Sequence, residues 1–485
     1  MRYKTRRTLL SQCILFSLTA FSGYALAADC SPADAPTSTC GFKSTNYHGP
    51  NGTETWAVND NGSAYTNDAN TNSTGNGNDA IYLWDNKQED TQSLTVDGTD
   101  MSGTFIQANY GGTKNITLQN GATTDMIEGG NNKPGDNGSF KIDINNSTLT
   151  GENDNLIYGA ASHAKTYMGG AAIFVDSGAN EGTNTVNIEN GSTLGGAIYT
   201  VTGGDNTINV AGNSTVNGAI YAFTNSNNTI SVDNSTVTAN ETNATLQGYF
   251  EGAYAGNADA ATITSALQGQ TIAMGIYGQQ ASTIALTNGT TVNGSVAVVG
   301  NGSSTAQISL DSSTLNGNII TADESNTTVN LNNATVNGNI TTGAGDDTVV
   351  LANNSSVTGN VDAGTGTDEL SMDASSSITG QISGFETVNT TSDNNIDIDK
   401  LNDNTGWTIQ NGSRLVAETT GSNVQVAMTS DSTVDFGNVT GTNNNLTVTQ
   451  ISPSTLNQKN VQIATFSTTG NPADAVEAQF SNGSQ

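Results

Sequence analysis

The chain is poor in cationic residues, histidine, cysteine and proline, and the shortage of cationic residues argues against two classes of partner. Its 485 residues include 13 Lys and Arg against 44 Asp and Glu, with 2 His, 3 Cys and 6 Pro. Beyond residue 7 the one arginine is Arg414. A surface that binds nucleic acid needs clustered cationic donors, so we expect no nucleic-acid partner. The same shortage argues against direct docking on anionic lipid.

The first residues have the features of a secretory signal peptide. The basic residues Arg2, Lys4, Arg6 and Arg7 precede a short apolar stretch at 13–21, and Ala-Leu-Ala at 25–27 supplies the small residues that cleavage requires. We therefore predict that residues 1–27 are removed. The mature chain keeps nine Lys and Arg against 44 Asp and Glu, so its net charge is 9 − 44 = −35.

The remaining cysteines lie close together near the mature N-terminus. Cys30 and Cys40 favour one short disulfide in an exported protein, because a catalytic or metal-binding pair would want a CxxC spacing or nearby histidines. Residues 28–100 lack the later repeats and are predicted to form an N-terminal cap that covers the first coil.

Short repeats dominate the rest of the chain. The segments TNTVNIENGSTLGGAIY, DNTINVAGNSTVNGAIY and TTVNLNNATVNGNIT share one plan, with alternating aliphatic residues, a polar turn, Ser or Thr before an aliphatic residue, and a turn with Gly. Val186, Ile208 and Ile230 recur at intervals of 22 residues, and Ile308 and Val329 are 21 apart. Such a period indicates a solenoid.

The alternation within each repeat indicates strands and not helices. Side chains two positions apart on a strand face the same side, so the aliphatic residues of successive coils can form one column. We predict an all-β chain, a parallel right-handed β-helix of about 20–22 residues per coil over 101–390. Residues 391–485 keep the alternation with less regular spacing, as expected of less regular coils. Some fourteen coils would fit between Met101 and Val388.

Asparagine recurs before glycine at one corner of the repeat, at Asn217, Asn293, Asn316 and Asn337. Asparagine tolerates left-handed backbone, and its amides can form hydrogen-bonded ladders from coil to coil. We predict that these residues have both properties.

A leader followed by such coils resembles the passenger domains of type V secretion, the pertactin-like β-helices of the self-associating and adhesive autotransporters. The resemblance covers about residues 101–480. It implies a protein exported through the periplasm and a C-terminal outer-membrane barrel, displayed on the cell surface, and used for adhesion, aggregation or biofilm growth. Its partners would be identical passengers on neighbouring cells, host glycans or matrix proteins. No barrel strands are evident before Gln485, so we expect the barrel to follow in a longer protein.

Four tyrosines form a candidate ligand-binding stripe. Tyr158, Tyr199, Tyr221 and Tyr277 each follow an isoleucine predicted to face inward, so they should point outward. Exposed phenols in register could stack on sugar rings, and cross-coil packing against loops is the alternative.

Three carboxylates are weak calcium candidates. Asp346, Asp347 and Asp368 lie in glycine-aspartate turns that resemble those of calcium-binding β-rolls, but the turns are a whole coil apart. Capping of coil corners in water is the alternative, and we expect no obligatory cofactor.

Catalytic patterns are weak. Ser177 lacks the leading glycine of a GDSGS motif. We expect His48 in an exposed loop of the cap and His163 in a turn between coils. We expect a protein that is not an enzyme. A polysaccharide-processing β-helix enzyme and a purely structural stalk stay open as alternatives.

Overall fold

The structure is a computed structural model, and it shows an all-β chain folded as a parallel β-solenoid of about ten turns. It describes residues 91–109, 112–130, 138–151, 170–176, 182–224, 226–239, 269–278, 280–300, 304–322, 326–373 and 375–385. It also gives the backbone of strands at 53–59 and 79–84 and of several between 387 and 480. No helix occurs in this described part of the chain, so the predicted fold class is confirmed. The leader, both cysteines, both histidines, Ser177 and Tyr158 lie outside it.

Each regular coil contains three strands, which we name A, B and C in chain order. Strand A carries the repeated aliphatic pair, strand B is the short Ser/Thr-aliphatic segment, and strand C follows the glycine turn. Alternate side chains of strand A are buried, so that Val186 and Ile188 are both 0% exposed. Stacking these aliphatic residues coil upon coil removes them from water and supplies the main driving force for folding.

The chain forms two compact units, of which the first comprises residues 1–260 and 268–281. Two long strands here, Asp100–Asn109 and Thr123–Gly130, run through positions B and C together. The A strands are Thr53–Asn59, Thr91–Asp97, Gly112–Gln119, Gly138–Asn145, Asn184–Glu189, Asn206–Ala211 and Asn228–Asp233. The B strands are Thr148–Leu149, Thr193–Leu194, Thr215–Val216 and Thr236–Thr238, and the C strands are Asp79–Trp84, Ala171–Asp176, Ala197–Thr202, Ile220–Thr224 and Ile272–Tyr277.

The second unit comprises residues 261–267 and 282–485. Its A strands are Ala281–Thr287, Thr305–Asp311, Thr327–Asn332, Thr348–Ala352, Glu369–Asp373, Thr387–Thr391, Gly406–Gln410, Val424–Met428, Asn445–Gln450 and Glu477–Phe480. The B strands are Thr291–Asn293, Thr314–Asn316, Thr335–Val336, Ser356–Val357 and Ser377–Ile378, and the C strands are Ser295–Val299, Ile319–Ala322, Ile340–Thr341, Val361–Asp362 and Ile382–Ser383. Further strands are Asn395–Asp397, Arg414–Ala417, Thr433–Phe436, Asn438–Val439 and Ser467–Thr468.

Strand pairing confirms the register that the repeats predict. Val186 pairs with Ile208, and Ile208 pairs with Ile230, in parallel strands of the first unit. In the second unit Ile308 pairs with Val329 and so continues the same pattern. Parallel pairing extends past residue 391, where Trp407 pairs with Val426.

The number of coils is smaller than the sequence length suggests, because two coils carry long insertions. Ile142 pairs directly with Val186, 44 residues later, and Ile220 pairs with Met274, 54 residues later. A coil otherwise needs about 21 residues, so the prediction of fourteen coils was wrong.

Asparagines with left-handed backbone lie at the corner between strands A and B, and not at the corner that the sequence suggested. In that corner Asn190, Asn213, Asn234, Asn288 and Asn333 all have φ between 44° and 62°. The asparagines at 217, 293, 316 and 337 are absent from the positive-φ set, so the predicted left-handed conformation was wrong for them. Asparagine tolerates this region because its short polar side chain can bond locally.

Candidate interaction surface

The outward side chains of strand B form a column of threonines. In the first unit Thr148, Thr193, Thr215 and Thr236 stand in register on successive coils. The second unit has a column of the same kind, formed by Thr291, Thr314, Thr335, Ser356 and Ser377. Adjacent strands in a sheet lie about 4.8 Å apart, so hydroxyl groups repeat at that interval.

A second polar row lies two residues further along each coil, on the same side of the strand. In the second unit this row is an asparagine ladder, in which Asn316 Nδ2 donates to Asn293 Oδ1 at 2.8 Å and Asn337 Nδ2 donates to Asn316 Oδ1 at 2.8 Å. The predicted amide ladder is therefore confirmed for these three residues. We call the threonine column and this second row together the Thr/Asn face.

The Thr/Asn face carries no charged residue from the coil of Thr148 to the coil of Ser377, in either unit. Between Lys165 and Lys400 the sequence has no Lys or Arg, so all charged residues of that stretch apart from histidine are acidic. Strand A, for comparison, presents the outward residues Asp143, Glu189 and Asp233 in the first unit. The Thr/Asn face is thus neutral and rich in donors and acceptors on an anionic molecule, a feature that the sequence analysis missed.

The outward face of strand A has polar ladders of its own. Asn187 Nδ2 donates to Asp143 Oδ1 at 2.7 Å, and Asn209 Nδ2 donates to Asn187 Oδ1 at 2.8 Å. Lys141 forms an ion pair with Asp143 at 2.7 Å, with its side chain more than half exposed. These two hydrogen bonds and the ion pair join outward side chains of strand A to one another.

A third ladder lies inside the first unit and was also missed. Asn184, Asn206 and Asn228 are each 1% exposed, and their side-chain amides form a continuous chain. Asn184 Nδ2 donates to Asn206 Oδ1, and Asn206 Nδ2 donates to Asn228 Oδ1, both at 3.1 Å. Each amide also donates to a strand C carbonyl, as Asn206 does to Phe223 O at 2.8 Å. The sequence signal was an Asn two residues before the first repeated aliphatic residue, in three successive repeats.

Three of the four tyrosines lie in described C strands, and two of them are buried. Tyr199 and Tyr221 are 7% and 0% exposed, and Tyr277 is half-buried. The Tyr199 ring stacks on Phe174 with centroids 5.0 Å apart and an interplanar angle of 3°, and it contacts Phe223 at 5.1 Å. The prediction of exposure was wrong for Tyr199 and Tyr221, and the alternative of cross-coil aromatic packing describes them. Alternation determines which side of a strand a residue takes and not what covers that side.

The calcium candidates cap the backbone of neighbouring coils. Thr327 N donates to Asp347 Oδ1 at 2.6 Å, and Asp347 N donates to Asp368 Oδ1 at 2.7 Å. Asp346 Oδ1 accepts from Thr367 N at 2.9 Å. Corner capping is therefore confirmed, but Asp347 and Asp368 are 1% exposed, so the expectation of capping in water was wrong for them. Among the described residues no group of three or more His, Cys, Asp or Glu is placed to hold a metal ion.

Hydrogen bonds also hold several surface carboxylates in the charged form. The Ser226 hydroxyl and the Asn227 backbone N–H lower the pKa of Asp205 below its ordinary value of 3.8. Burial alone would raise the pKa of Asp373, but bonds from the Asn353 N–H and from the serines at 375 and 376 outweigh it and lower the pKa. These two carboxylates accept hydrogen bonds from backbone N–H groups and serine hydroxyl groups at the corners of the coils. Their role is therefore structural.

Comparison of the chain with models of protein families, with curated proteins and with solved structures gives no match. The part of the chain that the structure describes contains no helix long and apolar enough to cross a membrane.

Proposed function

We propose that this protein is an autotransporter passenger, a cell-surface β-solenoid that mediates adhesion, bacterial aggregation and biofilm formation. The observation that carries the proposal is the Thr/Asn face, a neutral polar face repeated coil after coil in a chain of net charge −31. It presents interaction groups in a regular array and no reactive cluster.

Identical copies of a strongly acidic protein repel each other, so a contact between them favours the least charged face. Hydroxyl and amide groups both donate and accept hydrogen bonds, so a Thr/Asn face is complementary to a second Thr/Asn face. Each bond is weak, but repetition once per coil makes the contact multivalent. Passengers on neighbouring cells are therefore the favoured partners, and the hydroxyl groups of host glycans or polar groups of matrix proteins offer similar chemistry.

The route to the cell surface is inferred from the sequence. The leader at 1–27 directs the chain into the periplasm, and the composition of the repeats favours export by type V secretion. On this proposal a C-terminal barrel holds the passenger at the outer membrane, and the solenoid projects outside the cell.

The test is to display the full chain on bacteria that do not aggregate, and to measure how fast a still culture settles. We expect the wild-type chain to cause clumping. Thr335→Asp places a carboxylate on the Thr/Asn face and should reduce clumping, because two like charges then meet at each contact. Thr328→Asp is the matched control, since Thr328 is a half-buried, outward residue of strand A in the same coil.

One outcome would contradict the proposed function, and another would contradict only the Thr/Asn face as its site. Cells that display the wild-type chain in normal amounts but stay dispersed and form no biofilm would contradict the proposed function. Clumping that Thr335→Asp and Thr328→Asp reduce equally would keep the function but reject the Thr/Asn face as its site.

A further inference from the structure

Asn-Gly pairs recur throughout the solenoid, and they differ in how the glycine N–H is bonded. In the corner between strands A and B the N–H of Gly191 donates to Gly212 O at 2.8 Å, and that of Gly289 donates to Ser312 O at 2.7 Å. On the Thr/Asn face the N–H of Gly294 donates to Asn316 O at 3.0 Å. The N–H groups of Gly218, Gly317 and Gly338, in contrast, have no hydrogen bond within the described part of the chain.

Asn337 is also the residue at which the asparagine ladder ends. Its Nδ2 donates to Asn316 Oδ1, but in the next coil the corresponding residue is Thr358 and no further amide bonds follow. Asn316 is held at both atoms of its amide, whereas Asn337 is held at one. The side chain of Asn337 is exposed to water, and Gly338 is half-buried.

We propose that Asn337–Gly338 is a site of spontaneous deamidation. The Gly338 backbone nitrogen attacks Cγ of Asn337, forming the N–Cγ bond of a five-membered succinimide and breaking the Cγ–Nδ2 bond. Ammonia leaves with the proton that the nitrogen loses. Water then opens the ring and gives aspartate or isoaspartate, so the net change is addition of one water and loss of one ammonia.

Two features favour this pair. Glycine has no Cβ to hinder approach to its nitrogen, and the Gly338 N–H does not have to give up a cross-coil bond before the nitrogen reacts. Asn288–Gly289 has the same two residue types and an exposed asparagine, but its glycine N–H is tied to the next coil. The backbone there must open locally before the reaction proceeds.

The product would change the Thr/Asn face. A carboxylate at 337 no longer donates to Asn316 Oδ1, and it brings a negative charge to a neutral surface. If the proposed function holds, deamidation weakens contact between passengers as the protein ages. This consequence rests on the proposed function, whereas the reaction itself does not.

The reaction is tested on the purified full chain, aged in mildly alkaline buffer and analysed by peptide mass spectrometry. Trypsin cannot separate the sites, because no Lys or Arg lies between Lys165 and Lys400, so a protease that cleaves at aliphatic residues is needed. We expect the amide-to-acid mass shift to accumulate at Asn337 about fivefold faster than at Asn288, the ratio that one backbone hydrogen bond provides. In the chain unfolded in urea the two rates should converge.

Equal rates at Asn337 and Asn288 in the folded chain, or no conversion at Asn337, would overturn the proposal. Asn337→Gln should abolish the signal at this position, since glutamine forms the larger ring slowly. Asn337→Asp, displayed on cells, separately measures the effect on clumping. Loss of clumping with Asn337→Asp but no conversion in the aged protein would reject deamidation and leave the proposed function intact.

Discussion

At the scale of single residues, asparagine has three separate roles in this solenoid. Asn190 and Asn288 supply left-handed backbone at the corner between strands A and B. Asn316 and Asn337 bond coil to coil on the surface. Asn206 does so in the interior, where an unsatisfied polar group would be costly. One residue type is thus used for its backbone conformation, its exposed amide and its buried amide.

The buried amide chain should contribute more to stability than the exposed ones. Asn206→Ala removes Asn206 Oδ1, which accepts from Asn184 Nδ2, and Asn206 Nδ2, which donates to Phe223 O. We therefore expect the unfolding free energy to fall by about 2 kcal/mol. Asn209→Ala removes a half-buried amide from the same strand and should cost no more than about 0.5 kcal/mol. Urea unfolding, with hydrogen exchange of the flanking strands to detect local opening, measures both.

A loss at Asn206→Ala no larger than that at Asn209→Ala would contradict this account. It would mean that water enters the interior and replaces the missing amide. Because the effect is local to a few coils, hydrogen exchange near Asn184 and Asn228 is the decisive measurement in a repeat protein.

At the scale of the strand and the corner, glycine permits the coils to stack closely. A Cβ built on Gly317 would collide with the carbonyl of Gly294 and lie 2.7 Å from the Ser295 nitrogen, which are backbone atoms of the previous coil. A Cβ on Gly289 would meet nothing within 4 Å, although its φ of +82° is unfavourable for other residues. The two glycines are therefore required for different physical reasons.

Alanine substitutions should separate these reasons. Gly289→Ala introduces a left-handed alanine and should destabilise the chain by about 1 kcal/mol. Gly317→Ala forces two coils apart and should cost more, on the order of 3 kcal/mol. Thermal or urea unfolding of both variants checks the difference, and a smaller effect at Gly317 than at Gly289 would show that the coils do not pack as closely as the structure has them.

The strands and their register were predictable from the sequence, whereas the burial of the tyrosines and the number of coils were not. Val186, Ile208 and Ile230 repeat at a fixed interval, and alternation then gives both the strands and their register. The burial of Tyr221 was not predictable, because alternation does not show what covers a face. The coil count failed for a similar reason, since the insertion between Ile142 and Val186 has about the length of one coil and resembles one in a simple count of residues.

The neutral Thr/Asn face could be read from the sequence only after the strands were assigned. Thr314 and Asn316 are ordinary polar residues in a chain full of them. They become distinctive because strand B places them on one side while acidic residues such as Asp311 and Asp373 fall on or beside strand A.

At the scale of the whole molecule, net charge decides how copies meet. A chain with 44 acidic and 13 basic residues repels its own kind at long range in dilute salt. Added salt shortens the range of that repulsion, since the screening length is about 30 Å at 0.01 M and about 10 Å at 0.1 M. Hydrogen bonds between neutral faces depend on salt much less, because no charge takes part in them.

Clumping of cells that display the chain should therefore increase as sodium chloride is raised from about 0.01 M to about 0.15 M, where repulsion between passengers is screened. An attraction of the acidic chain to a basic partner would have the opposite dependence, because salt weakens attraction between unlike charges. The measurement is the settling rate of displaying cells across this range, with cells that carry the empty display system as the control for the cell surface itself. A settling rate that falls with added salt would reject contact through a neutral face and indicate that a positively charged partner mediates adhesion.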